Sequence, residues 1–175
     1  MAQASGLTLV PEDKQNIMKA TTFGTGQLIL DAINRGVRKI YIGIGGSATN
    51  DGGMGMAQAL GVKFLDAKGQ ALSGNAQNLK AIVQIDLTKM KVNPKTIEII
   101  ILSDVNNPLC GENGAAKVFG PQKGAKTNQI KMLDEGLQHY AEKLKEVYNR
   151  DFASIPGAGA AGGLGAGLMA FLNAA

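Results

Sequence analysis

The sequence predicts an α/β protein with a mixed sheet flanked by helices. Short apolar runs of strand type alternate with segments of helical periodicity. Glycine-rich loops follow the apolar runs, as in sheets whose strands are joined by helices. The length of 175 residues and the apolar content of 45% fit one compact domain over residues 1–175.

The first strong elements are a helix and the strand after it. In "TTFGTGQLILDAINRG" the residues Leu28, Ile29 and Ile33 share one helical face, and Gly36 ends the helix. The strand runs from Lys39 to Ile44 and alternates little, so we expect both of its faces to be covered.

The middle of the chain predicts a short helix, a hairpin and two further strands. "DGGMGMAQALG" forms the helix and ends at Gly61, and "VKFLDAKGQAL" forms a hairpin that turns at residues 66–69. "AIVQIDL" and "TIEIIILSDV" are further strands. The second is apolar throughout, which favours a central position in the sheet.

Two helices close the sequence. The segment 127–148 has apolar residues every three or four positions and is the longest predicted helix. The last segment, "GLMAFLNAA", has no wide polar face. We therefore expect the chain to be a piece of a longer protein, and we expect an exposed apolar surface on this helix to favour a homo-oligomer.

Composition excludes several classes of function. A single cysteine, Cys110, rules out an internal disulfide and favours the cytoplasm, and the single histidine argues against a Ser-His-Asp hydrolase or a zinc site. The net charge of +4 comes from scattered lysines, without tryptophan or a basic cluster, so no nucleic-acid partner is expected. No apolar run reaches the roughly 20 residues of a membrane helix.

The glycine-rich loop "GIGGSATNDGGMG" is the first candidate site. It satisfies the G-x-G-x-x-A pattern of dinucleotide-binding folds, and Asp66 follows about 20 residues later. Residues 49–53 are poor helix formers, however, so we expect a loop to about Asn50 or Asp51 and a late helix whose free amides face an anion. The alternative is that Asn50 or Asp51 caps the helix and the glycines permit close packing.

Polar residues at the end of the last predicted strand and in the loop after it form the second candidate site. Asp104 and Asn107 stand in "SDVNNPLCGENG", and Lys123 follows in the turn "FGPQKGA". Carboxylate and amide oxygens suit Mg²⁺, and a lysine suits phosphate, which together are the needs of phosphoryl transfer. Turn geometry alone could also explain the asparagines and the proline.

The third glycine cluster, "PGAGAAGGLGAGL", precedes the last helix. It could approach a phosphate or pack against another helix. We expect packing from Gly163 onward, and residues 157–162 stay open to either role.

Together, "GIGGSATNDGGMGMAQALG", "SDVNNPLCGENGAAKVFGPQKGA", "PGAGAAGGLGAGL" and "TTFGTGQLI" resemble the glycerate kinase family in their order and spacing. The resemblance implies a two-domain α/β kinase. This chain would hold mostly the inserted domain and a part of its flavodoxin-like neighbour. It further implies transfer of the ATP γ-phosphoryl group to D-glycerate, giving 2-phosphoglycerate or 3-phosphoglycerate, with ATP and Mg²⁺ as cofactors.

The same resemblance implies roles for particular residues. Catalysis would fall to Asp104, Lys123 and Asp51, with Asp104 also a ligand of Mg²⁺. The substrate and its phosphate would be bound by Gly45, Gly46, Ser47, Thr49, Asn50, Asn107 and Gly159.

Three functions therefore compete. The first is a glycerate kinase, inactive as the isolated piece because segments expected on either side are missing. The second is a ligand-binding or structural domain without catalysis, and the third is an NAD-binding oxidoreductase domain.

Overall fold

The computed structural model describes residues 1–175, and it confirms the α/β class. Six α-helices are present: α1 Ala2–Ser5, α2 Phe23–Asn34, α3 Met54–Ala59, α4 Ala115–Phe119, α5 Thr127–Tyr148 and α6 Ala160–Leu172. Four strands are present: β1 Lys39–Gly43, β2 Lys63–Leu65, β3 Gln84–Asp86 and β4 Glu98–Leu102. Short 3-10 turns occur between them at Leu7–Leu9, Glu12–Lys14, Ala76–Ala81, Pro94–Thr96 and Pro121–Lys123.

The strands form two small sheets instead of one mixed sheet. β1 pairs with β4 in parallel, and β2 pairs with β3 antiparallel. On the other edge of β4, the Ile101 N–H donates to Ala175 O at 2.8 Å, and the Ala175 N–H donates to Ile99 O at 3.1 Å. The second edge of β4 is thus met by the last residue of the chain and not by a strand. Because the sheet has only two strands, the predicted central position of β4 is wrong.

The expectation that both faces of the first strand are covered is wrong. Ile42 and Ile99 point into the core and are buried, whereas Tyr41 on the opposite face is 58% exposed. Its register partner is Ile100. The strand is apolar on both faces, but only one of them is buried and the other is exposed to solvent.

The turn predicted at residues 66–69 is present, but the hairpin is minimal. The Gly69 N–H donates to Asp66 O at 3.0 Å. Beyond the turn, Leu65 forms an isolated bridge with Ala71, while the ladder partner of β2 is the more distant β3.

Helix α2 lies in the predicted place and packs closely on α3. A Cβ at Gly26 would lie 2.4 Å from Met56 O, so only glycine allows this approach. Ile29 is buried as expected. Leu28 is 57% exposed, so its assignment to the buried face is wrong.

The long helix α5 has the predicted bounds and carries one wall of the core. Leu133, Leu137 and Leu144 are fully buried on one face. Near them, the rings of Tyr140 and Phe171 lie about 6 Å from the ring of Phe64. These aromatic contacts join α5 and α6 to β2.

The expectation of an exposed last helix is wrong. Every residue of α6 except Met169 is buried, so α6 lies inside the core. The reason for expecting self-association is thereby removed. None of the helices combines the length and the apolar character that a membrane crossing requires.

Candidate functional site

The glycine-rich loop leaves the carboxyl end of β1 and ends late, as predicted. Helix α3 begins only at Met54. The expectation that its first amides face an anion is wrong, because the N–H groups of Gly53 and Gly55 donate to Asp51.

Asp51 is fully buried and stands two residues before Gly53, the N-cap of α3. One carboxylate oxygen accepts hydrogen bonds from Thr22 N at 2.8 Å, Thr22 Oγ1 at 2.9 Å and Gly55 N at 3.2 Å. The other accepts from Gly53 N at 3.1 Å. Burial raises the pKa of Asp51, and these hydrogen bonds act in the opposite direction. The carboxylate fixes the loop between α2 and α3, as the capping alternative supposes.

Lys123 joins the two candidate sites that the sequence predicted separately. Its side chain is only 3% exposed, and Nζ donates to Ser47 Oγ at 2.6 Å and to Thr49 O at 2.8 Å. Burial lowers the pKa of Lys123 to about 8, while the negative charge of Asp51 opposes that shift. An ammonium group has three N–H donors, so one remains without a protein acceptor.

A pocket of about 100 Å³ opens where β1 and β4 end. Five predicted residues line it: Gly45, Gly46, Ser47, Asp104 and Lys123. The remaining lining residues are Ile44, Ser103, Val105, Phe119, Gln122, Ala160 and Ala161. The carboxyl ends of parallel strands are the usual ligand-binding edge in α/β proteins, which explains why these residues converge.

Neither close packing nor backbone conformation explains why position 45 is a glycine. A Cβ added there would meet no atom within 4 Å, and its φ is not positive. The free space lies at the pocket. Such a glycine suits the close approach of a ligand to the backbone.

Asp104 is exposed at the pocket, where its carboxylate can reach a ligand. No group of three or more His, Cys, Asp and Glu side chains that could hold a metal ion occurs in the chain. A single carboxylate nevertheless fits Mg²⁺ in phosphoryl-transfer sites, where the ion is held by one or two carboxylates together with substrate phosphates and water.

Besides Asp51, four predicted residues do not line the pocket. Thr49 contributes its carbonyl to Lys123, but its Oγ1 and both amide atoms of Asn50 are buried without a partner. Asn107 Nδ2 donates to Asn113 O at 2.8 Å, and Gly159 N donates to Asn107 O at 2.9 Å. Both therefore hold the loop after β4 in place.

Close packing explains the third glycine cluster, including Gly159. A Cβ at Gly159 would lie 2.2 Å from Pro108 O, and one at Gly162 would lie 1.9 Å from Thr49 O. The Gly52 N–H donates to Gly162 O at 3.0 Å, which ties this cluster to the glycine-rich loop. The packing predicted from Gly163 onward is confirmed, since a Cβ there would lie 2.8 Å from Gly52 Cα.

Sequence reasoning missed Ala161. It lines the pocket and has φ 54° and ψ 41°, inside a left-handed run over 161–163. A non-glycine residue in this region costs about 1–2 kcal/mol. The surrounding contacts hold it there. The glycines on either side were the signal, but glycine at a neighbouring position does not reveal a strained alanine.

Sequence reasoning also missed a groove on the other side of Lys123. Its volume is about 360 Å³, and Lys14, Lys19 and Lys123 line it together with six other residues: Leu7, Val10, Gln15, Asn16, Ala20 and Ala48. The lysines looked scattered in the sequence. The turn at Glu12–Lys14 and the bridge between Gly6 and Ser47 bring them beside the glycine-rich loop.

A glycine-rich loop, an acid and a buried lysine meet at the carboxyl edge of two parallel strands, which is where α/β proteins usually bind their ligands. The family model of the glycerate kinase family matches residues 1–175, so the chain belongs to that family. The dinucleotide-binding alternative fails on two counts. The helix does not begin within the motif, and the Asp66 carboxylate accepts the N–H groups of Lys68 and Gln70 in its own turn.

Individual relatives and a solved structure that resemble this chain also carry glycerate kinase names. The chain is 53% identical to the glycerate kinase of Halalkalibacterium halodurans and 51% identical to the glycerate 2-kinase of Escherichia coli K12, over 99% of its length in each comparison. A crystal structure of a "putative glycerate kinase 2" from Salmonella typhimurium LT2 superposes with a TM-score of 0.96 at 45% identity, covering 99% of this chain and 46% of that one. The chain spans about half the length of the curated relatives it matches, 46% in both.

Proposed function

We propose that this chain forms part of a kinase that transfers the γ-phosphoryl group of ATP to D-glycerate, giving 2-phosphoglycerate. Membership of the glycerate kinase family supports the reaction class. The observation that carries the proposal is the buried ammonium of Lys123, fixed by Ser47 and Thr49 in the wall of a pocket that also contains Asp104.

Lys123 supplies positive charge to the transferred phosphoryl group. Two protein acceptors hold the ammonium in place, and the third N–H is free for a phosphoryl oxygen. A fixed charge in a site shielded from water stabilises a transition state more strongly than a solvated one. With its pKa lowered to about 8, Lys123 is still mostly protonated at neutral pH.

Asp104 accepts the proton of the attacking hydroxyl group or binds Mg²⁺. Either role requires an exposed carboxylate at the pocket, which Asp104 provides. When bound, Mg²⁺ would neutralise charge on the ATP phosphates. The backbone at Gly45 and Gly46 and the hydroxyl of Ser47 complete the binding surface.

The other predicted residues act through the loops that they hold. Asp51 positions the glycine-rich loop from the core through its hydrogen bonds to Thr22, Gly53 and Gly55. Asn50 is equally buried beside it and fills the core under the same loop. Asn107 and Gly159 position the loop that carries Asp104. We propose these as positioning roles, in place of direct contact with the substrate.

We further propose that the isolated chain binds its ligands without turning them over, with the rest of the catalytic site supplied by the other part of a full-length protein. The chain spans 46% of the length of its relatives. The cytoplasmic location and the choice of 2-phosphoglycerate over 3-phosphoglycerate stay predictions.

Thermal unfolding in the presence of D-glycerate and MgATP tests the proposal. A ligand that binds only the folded state raises the melting temperature. We expect both ligands to do so for the wild type and expect Lys123→Met and Asp104→Asn to lose most of the shift. Lys68→Met and Asp31→Asn are the matched controls, since Lys68 and Asp31 are exposed and lie outside the pocket and the groove.

A coupled assay of ADP release then measures turnover with and without D-glycerate. Glycerate-dependent turnover by this chain would contradict the proposed inactivity, and ³¹P NMR would identify the product. The absence of any shift with either ligand would refute binding. A non-catalytic binding domain would give a shift with this chain and no turnover in a full-length context.

A further inference from the structure

The groove on the far side of Lys123 has a composition unlike that of the pocket. Three lysines line the groove and no carboxylate does, whereas the pocket contains the exposed carboxylate of Asp104. The groove is also larger, about 360 Å³ against about 100 Å³. Lys123 lines both the groove and the pocket.

We propose that the groove binds the polyphosphate of the phosphoryl donor and that the pocket binds the hydroxy acid acceptor. The assignment rests on the proposed function for the identity of the acceptor. Lys14 and Lys19 contact the α- and β-phosphates, and Lys123 meets the γ-phosphate at the boundary between the two spaces.

The residues that line the two spaces support placing the phosphoryl donor in the groove and the acceptor in the pocket. Lysine side chains bind phosphates as mobile point charges, and a run of three phosphates needs several of them. The apolar residues Leu7, Val10 and Ala20 provide a surface for the organic part of a nucleotide. Asp104 would repel a polyphosphate in the pocket, whereas it can accept a hydrogen bond from a hydroxyl group.

The position of Lys123 explains why a nearly buried lysine is kept there. Ser47 and Thr49 take two of its N–H groups, and both belong to the loop between groove and pocket. The third N–H is thus held at a fixed place that both the groove and the pocket adjoin. An exposed lysine would provide the same charge without this fixed position.

The reaction then proceeds across the boundary. The acceptor hydroxyl oxygen in the pocket forms a bond to the γ-phosphorus, and the bond from that phosphorus to the oxygen bridging to the β-phosphate breaks. The hydroxyl proton leaves to Asp104. ADP remains in the groove with the negative charge of its new terminal oxygen beside Lys14 and Lys19.

Binding of inorganic tripolyphosphate, measured by isothermal titration calorimetry on this chain, tests the assignment without requiring turnover. The variant is Lys14→Gln together with Lys19→Gln. The control is Lys68→Gln together with Lys145→Gln, which changes the net charge equally at exposed positions away from the groove. We expect the groove variant to bind tripolyphosphate about tenfold more weakly than the control, the sum of two exposed charge contacts, and ADP to compete with tripolyphosphate in the wild type.

The effect on D-glycerate distinguishes the two proposals. The groove variant should keep the wild-type shift in melting temperature with D-glycerate, because the acceptor pocket is unchanged. Equal binding of tripolyphosphate by groove variant and control, or no binding by the wild type, would overturn the groove assignment even if D-glycerate binds. Loss of tripolyphosphate binding in the groove variant, with no effect of D-glycerate on any protein, would leave the groove in place and refute the proposed acceptor.

Discussion

Glycine serves opposite purposes in two neighbouring regions of this molecule. At the start of α6, glycines allow backbones to touch, and a Cβ at Gly162 would lie 1.9 Å from Thr49 O. In the loop after β1, a Cβ at Gly45 would meet nothing within 4 Å. A crowded glycine supports the fold. An uncrowded glycine without positive φ, at the wall of a pocket, indicates space kept free for a ligand.

The strongest test of this contrast is Gly162→Ala. We expect it to lower the free energy of unfolding by about 4 kcal/mol, because left-handed strain adds to a backbone clash. Gly69→Ala is the control, since Gly69 has a similar φ, 73° against 68°, but open space. It should cost about 1 kcal/mol. Urea unfolding measures both, and equal costs would show that crowding contributes nothing.

Thr22→Val tests the hydrogen bonds that join α2 to the glycine-rich loop and to α3. The Thr22 hydroxyl donates to Asp51 and accepts the Met56 N–H at 2.8 Å, both in the core. Without the hydroxyl, the buried Asp51 carboxylate and the Met56 N–H each lack a hydrogen-bond partner. We expect the free energy of unfolding to fall by about 3 kcal/mol. Thr22→Ser keeps the hydroxyl and should cost about 1 kcal/mol. A valine variant as stable as the serine variant would contradict this account.

The pH dependence of stability tests the energetic cost of burying the charged side chain of Lys123. The pKa of Lys123 is lowered from 10.5 to about 8 in the folded state, so the unfolded state binds more protons between these values. Stability therefore rises with pH across that window, and the cost of burying the charge is present below pH 8. Relative to Lys123→Met, the wild type should gain about 2 kcal/mol between pH 7.5 and pH 10. Parallel pH profiles of the two proteins would refute the burial effect.

Gly45→Ala should have the smallest effect on stability, below about 0.5 kcal/mol, since the new methyl group meets no neighbour. Under the proposed function it should still reduce the thermal shift with D-glycerate. A large loss of stability would instead place Gly45 with the packing glycines.

Local pattern predicted much of this structure. The 3.6-residue period set the bounds of α5, and poor helix formers at 49–53 indicated the late start of α3. Polar residues at the ends of β1 and β4 indicated the edge at which Gly45, Ser47, Asp104 and Lys123 meet. These results depend on neighbours in sequence or on a general property of parallel strands.

What the sequence did not reveal depends on contacts between distant segments. Thr22 and Asp51 look like an ordinary loop threonine and a helix cap, and only the packing of α2 on α3 makes them partners. The exposure of Tyr41 and Leu28 depends on which surfaces other elements leave uncovered. The groove of Lys14 and Lys19 likewise arises from the bridge between Gly6 and Ser47.

The left-handed run at 161–163 has a consequence for the order of folding. The left-handed conformation is unfavourable for Ala161, and the carbonyl of Gly162 gains its partner only when Gly52 arrives from far along the chain. Contacts of such long sequence separation form slowly because the intervening loop must close first. We therefore expect the glycine-rich loop and the start of α6 to reach their native form together and late in folding, and the pocket between them to form in that step.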